Sequence, residues 1–179
     1  QIAQGVRRIL AREQLGDALI LLPQYHITGL LVTLSALSAG QRVHVHRPDQ
    51  WDPVEVLETL DRYPISEFVG VSTMFSDLLD AYEADLYDLS ELNAAQQGGT
   101  KLPPEVLDEV EAALDIDLME GYGLTESTGA VLSSIAASLG ARRDSAGQPT
   151  GHTRVKIINE DGYEVPDGEV GELLIKGPQ

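Results

Sequence analysis

The sequence predicts an α/β fold with a doubly wound, mostly parallel sheet that carries helices on both faces. Patterns typical of helices and of strands alternate along the first 140 residues. Continuous apolar runs such as Ala18–Leu22 are typical of strands that are covered on both faces, as in a parallel sheet. These two observations favour βα units over an all-helical or all-β chain.

The pattern changes after Gly147, where strands joined by tight turns replace the alternation. Two Asp-Gly pairs, Asp161-Gly162 and Asp167-Gly168, mark these turns. We therefore predict an α/β subdomain over residues 1–140 and the start of a β-rich subdomain over residues 147–179.

In the first third of the chain, apolar residues at helical spacing predict one helix that ends at Gly16 and another that ends at Gly40. The strands Ala18–Leu22 and Val43–Val45 follow these helices. The residues that share a face are Ile2, Val6, Ile9 and Leu10 in the first helix and Leu30, Leu31, Leu34 and Leu37 in the second.

The third helix has the clearest start. Asp52 can act as N-cap, Pro53 suits the first helical position, and the helix is expected to run to about Arg62. The remaining predicted elements are the strands Phe68–Val71, Ala94–Gln97 and Ile116–Met119 and the helices Met74–Tyr82 and Pro104–Leu114.

Composition excludes several classes of protein. Without cysteine the chain has neither a disulfide framework nor a thiolate metal site. No apolar run approaches the roughly 20 residues that cross a bilayer, and no signal-peptide pattern occurs at the N-terminus, so we expect a cytoplasmic location and no transmembrane segment.

The net charge of −17 arises from 29 acidic and 12 basic residues. Only three of the basic residues are lysines. A field of that sign repels a nucleic-acid backbone, which excludes nucleic-acid binding. An acid-rich, lysine-poor surface suits concentrated salt, where screening removes the self-repulsion, so we expect a halophilic source.

The most informative stretch is GYGLTES, Gly121–Ser127. Its two glycines allow positive φ and the close approach of a ligand to the backbone, and Tyr122 offers a face to a nucleotide base. Thr125 offers a hydroxyl to a phosphate, and Glu126 offers the hard oxygen that Mg²⁺ prefers. The same residues fit a helix start with Thr125 as N-cap, so the stretch alone leaves both interpretations open.

Four stretches in one order resemble the adenylate-forming, AMP-dependent superfamily of acyl-CoA synthetases, aryl-CoA ligases, luciferases and peptide-synthetase adenylation domains. GYGLTES resembles the Tyr-Gly-x-Thr-Glu core motif of that family. Four motifs in family order are much more specific than one. The other three are LPQYHITGLL at Leu22–Leu31, GGTKLPPEV at Gly98–Val106, and the run from Gly147 through DGEVGELLIKGP.

The resemblance implies a site for ATP and Mg²⁺. It assigns the α-phosphate contact to Thr125 and the Mg²⁺ ligand to Glu126, and both are catalytic in that role. Lys101 stands where the family usually has proline, which affects the stiffness of the adenine loop. The implied nucleotide-binding residues are Gly98, Gly99, Thr100, Gly121, Tyr122, Gly123, Leu124 and Thr125.

His26 is the third catalytic residue that the resemblance implies, at the boundary between the carboxylate substrate and the nucleotide. Peptide-synthetase adenylation domains place an aspartate there to bind an α-amino group, and His26 cannot supply that negative charge. We therefore expect an acid without an α-amino group. The substrate-binding residues are His26, Thr28, Gly29 and Val32, whose largely apolar character suggests a fatty or aryl acid.

The three motif segments at Pro23–His26, Gly98–Lys101 and Gly121–Glu126 each follow a predicted strand. In an open α/β sheet ligands bind beyond the carboxyl ends of the strands, so we expect these segments to meet at one edge. We interpret His44 and His46, and also His152, as structural, because they lack metal-type partners.

The family's phosphate-gripping loop and its lysine-bearing C-terminal domain have no match in this sequence. We therefore expect a middle piece of a larger enzyme, inactive alone and dependent on the missing N- and C-terminal parts. The whole enzyme is expected to be an acyl-CoA synthetase that activates a carboxylic acid, preferably a fatty acid, as acyl-AMP and transfers it to coenzyme A. The alternatives are an aryl-CoA ligase, a peptide-synthetase adenylation domain, and a non-catalytic α/β nucleotide-binding or interaction module.

Overall fold

The structure is a computed structural model that describes residues 16–47, 50–134, 145–151 and 153–178. The helix predicted near residues 2–10 lies outside these residues, and so does His152.

A seven-stranded sheet organises most of the described chain. The first five strands are mutually parallel and the last two are antiparallel to their neighbours, which confirms the mostly parallel α/β sheet. The strands are β1 Asp17–Ile20, β2 Val43–Val45, β3 Ile65–Val71, β4 Ala94–Gly98, β5 Asp117–Leu124, β6 Gly129–Ser133 and β7 Gln148–Pro149. Their order across the sheet is β2-β1-β3-β4-β5-β6-β7.

Four helices connect the parallel strands in the described part of the chain: α1 Ile27–Ser38, α2 Pro53–Arg62, α3 Ser72–Ala81 and α4 Pro104–Leu114. The connection through α1 runs from β1 to β2, whereas the later connections run in the opposite direction across the sheet. Because crossovers between parallel strands are right-handed, α1 lies on one face and α2, α3 and α4 lie on the other. Helices therefore cover both faces, as predicted.

The main hydrophobic core lies between the sheet and helices α2 to α4. Phe68 of β3 stacks on Phe75 of α3 with ring centroids 5.4 Å apart, and both side chains are fully buried. Helix α2 buries Val56, Leu57 and Leu60 in the same core. This packing holds the parallel strands whose carboxyl ends form the candidate site.

Two predicted helix boundaries are confirmed in atomic detail. The Asp52 carboxylate accepts a hydrogen bond from the Val54 backbone N–H at 2.9 Å, which caps α2, and Pro53 is its first residue. Gly40 has a φ of 77°, a left-handed conformation that a glycine adopts without strain, just after α1.

Helix α1 occurs where the leucine pattern predicts it, but three of those leucines face solvent. Leu30, Leu34 and Leu37 are 43%, 50% and 57% exposed, whereas the buried residues of α1 are Gly29 and Ala36. The apolar periodicity thus identifies the helix and misassigns the face that packs on the sheet.

Strand β5 corrects the predicted boundary. It runs from Asp117 to Leu124 and contains the first four of the seven residues of GYGLTES, whereas the predicted strand ended at Met119. The extension pairs with β6, which the sequence analysis did not predict. The strand end was predicted too early because an apolar pattern reports only which residues are buried. It does not report that Gly121–Leu124 pair with β6 through backbone hydrogen bonds.

A separate antiparallel pair, β8 Arg154–Ile158 and β9 Glu172–Lys176, follows the large sheet. Gly162 and Gly168, in the two predicted Asp-Gly turns, have φ values of 84° and 92°. Although it lies beyond the predicted boundary, β7 belongs to the large sheet, and the division into subdomains stays a prediction. Among the described helices, none has the length and apolar character needed to cross a membrane.

Candidate active site

The candidate site lies at the carboxyl edge of the parallel strands. Because β1, β4 and β5 are parallel, the segments that follow or end these strands share this edge, as predicted. The connection after β1 runs toward one edge of the sheet, to β2, and the connection after β3 runs toward the other edge, to β4. Open α/β sheets bind ligands in the crevice at such a reversal of strand order.

Gly98, the last residue of β4, begins a turn with Gly99 and Thr100 that we call the GGT turn. Gly98 pairs in register with Gly121 of β5, and a Cβ on Gly98 would lie 3.1 Å from the Gly121 carbonyl oxygen. Gly99 has a φ of 93°, which strains any residue with a side chain. The turn therefore needs both glycines for its own geometry, and it presents Thr100 to solvent.

Tyr122 lies near the end of β5 and is 37% exposed. The glycines on either side of it are strand residues, so the expectation of positive φ at Gly121 and Gly123 is wrong. A Cβ on Gly121 would clash with the Gln96 side chain, and one on Gly123 would clash with the Gly129 carbonyl oxygen. Backbone packing, before any ligand is considered, already requires glycine at position 123, whereas a side chain at position 121 requires only that the end of the flexible Gln96 side chain move.

A short 3₁₀ helix, Thr125–Ser127, follows β5 directly. Leu124 occupies its N-cap position, so the alternative in which Thr125 is an N-cap is wrong. The Ser127 hydroxyl accepts from the Leu124 N–H at 3.1 Å and lies 2.9 Å from the Leu124 carbonyl oxygen. Ser127 had no predicted role, yet this residue fixes the turn.

The turn presents the side chains of Thr125 and Glu126 to solvent. Within the described residues the Glu126 carboxylate has neither a hydrogen bond nor an ion pair. No group of three or more histidine or acidic side chains in the described chain is arranged to hold a metal ion. A single unpaired carboxylate suits a Mg²⁺ ion that keeps most of its water and also binds substrate phosphates.

His26 is the N-cap of α1. Its Nδ1 accepts a hydrogen bond from the Thr28 backbone N–H at 3.2 Å. An accepting Nδ1 carries no proton, so the proton of the imidazole is on Nε2, where it can be donated to an oxygen. The first turn of α1 contains no acidic residue, and the side chain of His26 is exposed.

The other predicted substrate-binding residues lie in the first two turns of α1. Gly29 is buried, and a Cβ there would lie 2.7 Å from the Leu22 carbonyl oxygen and would also clash with that of Pro23. Its packing role is therefore to let α1 contact the preceding loop. Thr28 and Val32 are half-buried.

Sequence reasoning missed a polar network beneath the GGT turn. Gln97 and Glu120 are only 2% and 6% exposed, and the Gln97 Nε2 donates to the Glu120 Oε1 at 2.6 Å. The Ser72 Oγ lies 3.1 Å from the Gln97 Oε1 and 2.7 Å from the Thr100 carbonyl oxygen. A glutamine inside an otherwise buried strand was the available signal, because a buried polar residue is the informative exception.

His44 and His46 have structural partners, as predicted. The His44 Nε2 lies 2.7 Å from the Asp17 Oδ2, and its ring packs on Tyr63 with centroids 4.5 Å apart. The His46 Nε2 lies 3.2 Å from the Gln50 carbonyl oxygen.

A family model described as "AMP-binding enzyme" matches residues 2–179. The chain is 34% identical over 160 residues to a long-chain-fatty-acid–CoA ligase of Escherichia coli O6:H1, an alignment that covers 88% of this chain and 28% of that protein. It is 31% identical over 156 residues to a 2-succinylbenzoate–CoA ligase of Enterococcus faecalis, with 87% of this chain and 31% of that protein covered. The chain thus spans less than a third of the length of these relatives.

Solved structures share the fold. The O-succinylbenzoate coenzyme A synthetase of Bacillus subtilis in complex with ATP and magnesium superposes with a TM-score of 0.80 at 24% identity, over 98% of this chain and 36% of that one. A benzoate CoA ligase from Burkholderia xenovorans gives a TM-score of 0.81 at 25% identity, over 91% and 33% of the two chains.

Proposed function

Because this chain belongs to the AMP-binding enzyme family of adenylate-forming enzymes, we propose that the full-length protein is an AMP-forming acid–thiol ligase. In the first step a carboxylate attacks the α-phosphorus of ATP, which gives acyl-AMP and releases pyrophosphate. In the second step a thiol, that of coenzyme A, takes the acyl group and AMP leaves.

The observation that carries this proposal is the pairing of two motif segments at one edge of the sheet. Gly98 lies opposite Gly121, so the GGT turn and Tyr122 are on adjacent strands about 5 Å apart. Thr125 and Glu126 follow on the next turn of the chain. A base-stacking face, a hydroxyl donor and a free carboxylate are therefore close enough for one nucleotide.

These residues act mainly by binding and orientation. In our proposal the adenine packs between Tyr122 and the turn at Gly98–Thr100, and the Thr125 hydroxyl donates to an α-phosphate oxygen. Glu126 would hold Mg²⁺, which supplies charge neutralisation at the phosphates when it is bound. Adenylation needs such stabilisation of developing negative charge more than it needs a covalent nucleophile.

His26 would contact the carboxylate of the acid. Its Nε2–H is left free to donate because Nδ1 accepts from Thr28. The N-terminus of a twelve-residue helix adds a partial positive charge at the same place. Both features favour an anionic group, and neither provides the negative charge that an α-amino group requires.

The substrate class we propose is a fatty acid, with an aryl acid as second candidate. The relatives named above include ligases for long-chain fatty acids and for 2-succinylbenzoate, at 34% and 31% identity, so sequence likeness favours the first only slightly.

The test is isotope exchange between pyrophosphate and ATP by the full-length gene product, with a panel of fatty, aryl and α-amino acids. We expect exchange that depends on an added acid, strongest with a fatty acid and absent with α-amino acids. A folded protein that catalyses no exchange with any acid would instead support a non-catalytic nucleotide-binding module. Strongest exchange with an aryl acid would select the second candidate.

A further inference from the structure

The polar network at Ser72, Gln97, Thr100 and Glu120 joins three elements that end at the candidate site. Ser72 is the first residue of α3, Gln97 lies in β4, and Glu120 lies in β5 two residues before Tyr122. Thr100 is on the GGT turn. No role in binding or catalysis was assigned to Ser72 or Gln97 above.

Ser72 makes the exposed end of this network. Its Oγ lies 2.7 Å from the Thr100 carbonyl oxygen and 2.9 Å from the Thr100 Oγ1. The Ser72 hydroxyl has one proton, whose nearer acceptor is the Thr100 carbonyl oxygen and whose farther acceptor is the Gln97 Oε1, while the Thr100 hydroxyl donates to the Ser72 Oγ. Ser72 of helix α3 thus contacts both the backbone and the side chain of Thr100 in the turn.

Gln97 makes the buried end. It is 2% exposed and donates from Nε2 to the Glu120 Oε1 at 2.6 Å, while its Oε1 lies 3.1 Å from the Ser72 Oγ. The Gln97 amide has one favourable orientation, with Nε2 toward the Glu120 Oε1 and Oε1 toward the Ser72 hydroxyl, whose proton it shares with the Thr100 carbonyl oxygen. The Gln97 side chain therefore links Glu120 of β5 to Ser72 of α3.

The turn itself needs such a restraint. Gly98 and Gly99 precede Thr100, and glycines lose more conformational freedom on ordering than any other residue. Without the contacts to Ser72, this turn would sample several positions relative to β5, and a nucleotide would have to order it on binding.

We propose that Ser72 and Gln97 are positioning residues for the nucleotide: they hold the Gly98–Thr100 turn in a fixed place against Tyr122, and so determine the affinity for ATP. This inference rests on the proposed function, since it requires that ATP binds at this turn.

The experiment compares variants of the full-length gene product in acid-dependent pyrophosphate exchange, with the KM for ATP, the KM for the acid and kcat measured separately. Ser72→Ala removes the hydroxyl, Ser72→Thr keeps it, and Ser72→Cys replaces it with a weak donor of similar volume. Ser76→Ala is the matched control, because Ser76 lies one turn further along α3 and its hydroxyl donates, among the described residues, only to the Ser72 carbonyl oxygen at 3.4 Å.

Loss of one such hydrogen bond is expected to raise the KM for ATP about three- to tenfold. Ser72→Ala and Ser72→Cys should both show this rise, with the KM for the acid and kcat within about twofold of wild type. Ser72→Thr and Ser76→Ala should remain close to wild type.

Suppose that the wild-type enzyme is active and that folded Ser72→Ala or Ser72→Cys has an unchanged KM for ATP. That result overturns this inference and leaves the proposed function intact. An equal rise in both KM values together with a lower melting temperature also overturns it, since that result indicates general destabilisation. Absence of acid-dependent exchange in the wild-type protein overturns the proposed function and this inference with it.

Discussion

Glu126 and Glu120 are close in sequence and differ in what they can bind. Glu120 is buried and bonded to Gln97, whereas Glu126 is exposed on a 3₁₀ turn with no partner among the described residues. A carboxylate with no protein partner can bind a cation without losing an existing contact, so we propose Glu126 as the Mg²⁺ ligand.

Replacing Glu126 with glutamine should lower pyrophosphate exchange by the full-length protein at least several-fold. The change removes an anionic oxygen and preserves shape, so added Mg²⁺ should restore part of the activity. Glu160→Gln is the matched control, because Glu160 is exposed on the turn after β8. A Glu126→Gln enzyme with wild-type exchange rates at low Mg²⁺ would contradict the assignment.

Replacing His26 with aspartate tests where the acid binds. Aspartate is a good N-cap, so α1 should still form, but its charge would lie beside the substrate carboxylate. Like charges a few ångströms apart cost about 1 to 4 kcal/mol depending on the water that remains, so activity on simple acids should fall roughly tenfold or more.

The control for this change is His26→Asn, a neutral residue that also caps helices well. It separates loss of the Nε2 donor from the effect of added charge. Full activity of a folded His26→Asp variant on a simple carboxylic acid, measured with thermal melting as a folding check, would exclude our placement of His26.

At the scale of elements, α2 shows how a local signal determines a boundary. Asp52 accepts from the Val54 N–H, Pro53 occupies the first position, and the buried residues of the helix recur on one face. The cap and the proline do not depend on the rest of the molecule, which explains why the start of the helix was predicted to the residue.

Asp52→Ala should lower the free energy of unfolding by about 1 kcal/mol, the usual effect of removing an N-cap. Glu58→Ala on the same helix removes one negative charge from an exposed position and leaves the cap intact. Chemical denaturation of the two variants gives their free energies of unfolding and so separates the loss of the cap from the loss of one negative charge. Equal losses of stability in both would mean that the hydrogen bond to Val54 contributes nothing.

At the scale of the whole molecule, the chain aligns with 28% of a fatty-acid ligase and with 36% of a solved synthetase. We predict that the isolated 179-residue chain forms no acyl-CoA, because the sequence shows no match to the family's phosphate-gripping loop or catalytic lysine. Product formation is measured against a heat-inactivated sample. Activity of the purified chain above that background would refute this prediction.

The net charge of −17 also belongs to the whole molecule. Self-repulsion among acidic surface groups falls as the Debye length shortens from about 10 Å at 0.1 M salt to about 3 Å at 1 M. We predict that the melting temperature rises between dilute and molar KCl. A melting temperature independent of KCl over that range would remove the basis for a halophilic source.

The sequence by itself determined the fold class, the positions of the four described helices and the edge at which the motifs meet. Each depends on contacts within a few residues of the chain: the cap at Asp52, the turn at Gly40, and apolar runs such as β1. Parallel strands then bring their carboxyl ends together, so the convergence of the motif segments also followed from local information.

Only the tertiary structure decided what surrounds those motifs. The extension of β5 depends on pairing with β6, the glycine after Tyr122 is required by the backbone of Gly129, and three leucines of α1 face solvent. The network that includes Ser72 and Gln97 joins residues 25 positions apart. Such contacts between distant segments leave no periodic signal in the sequence, because each depends on how separate elements pack and not on the conformation of either one.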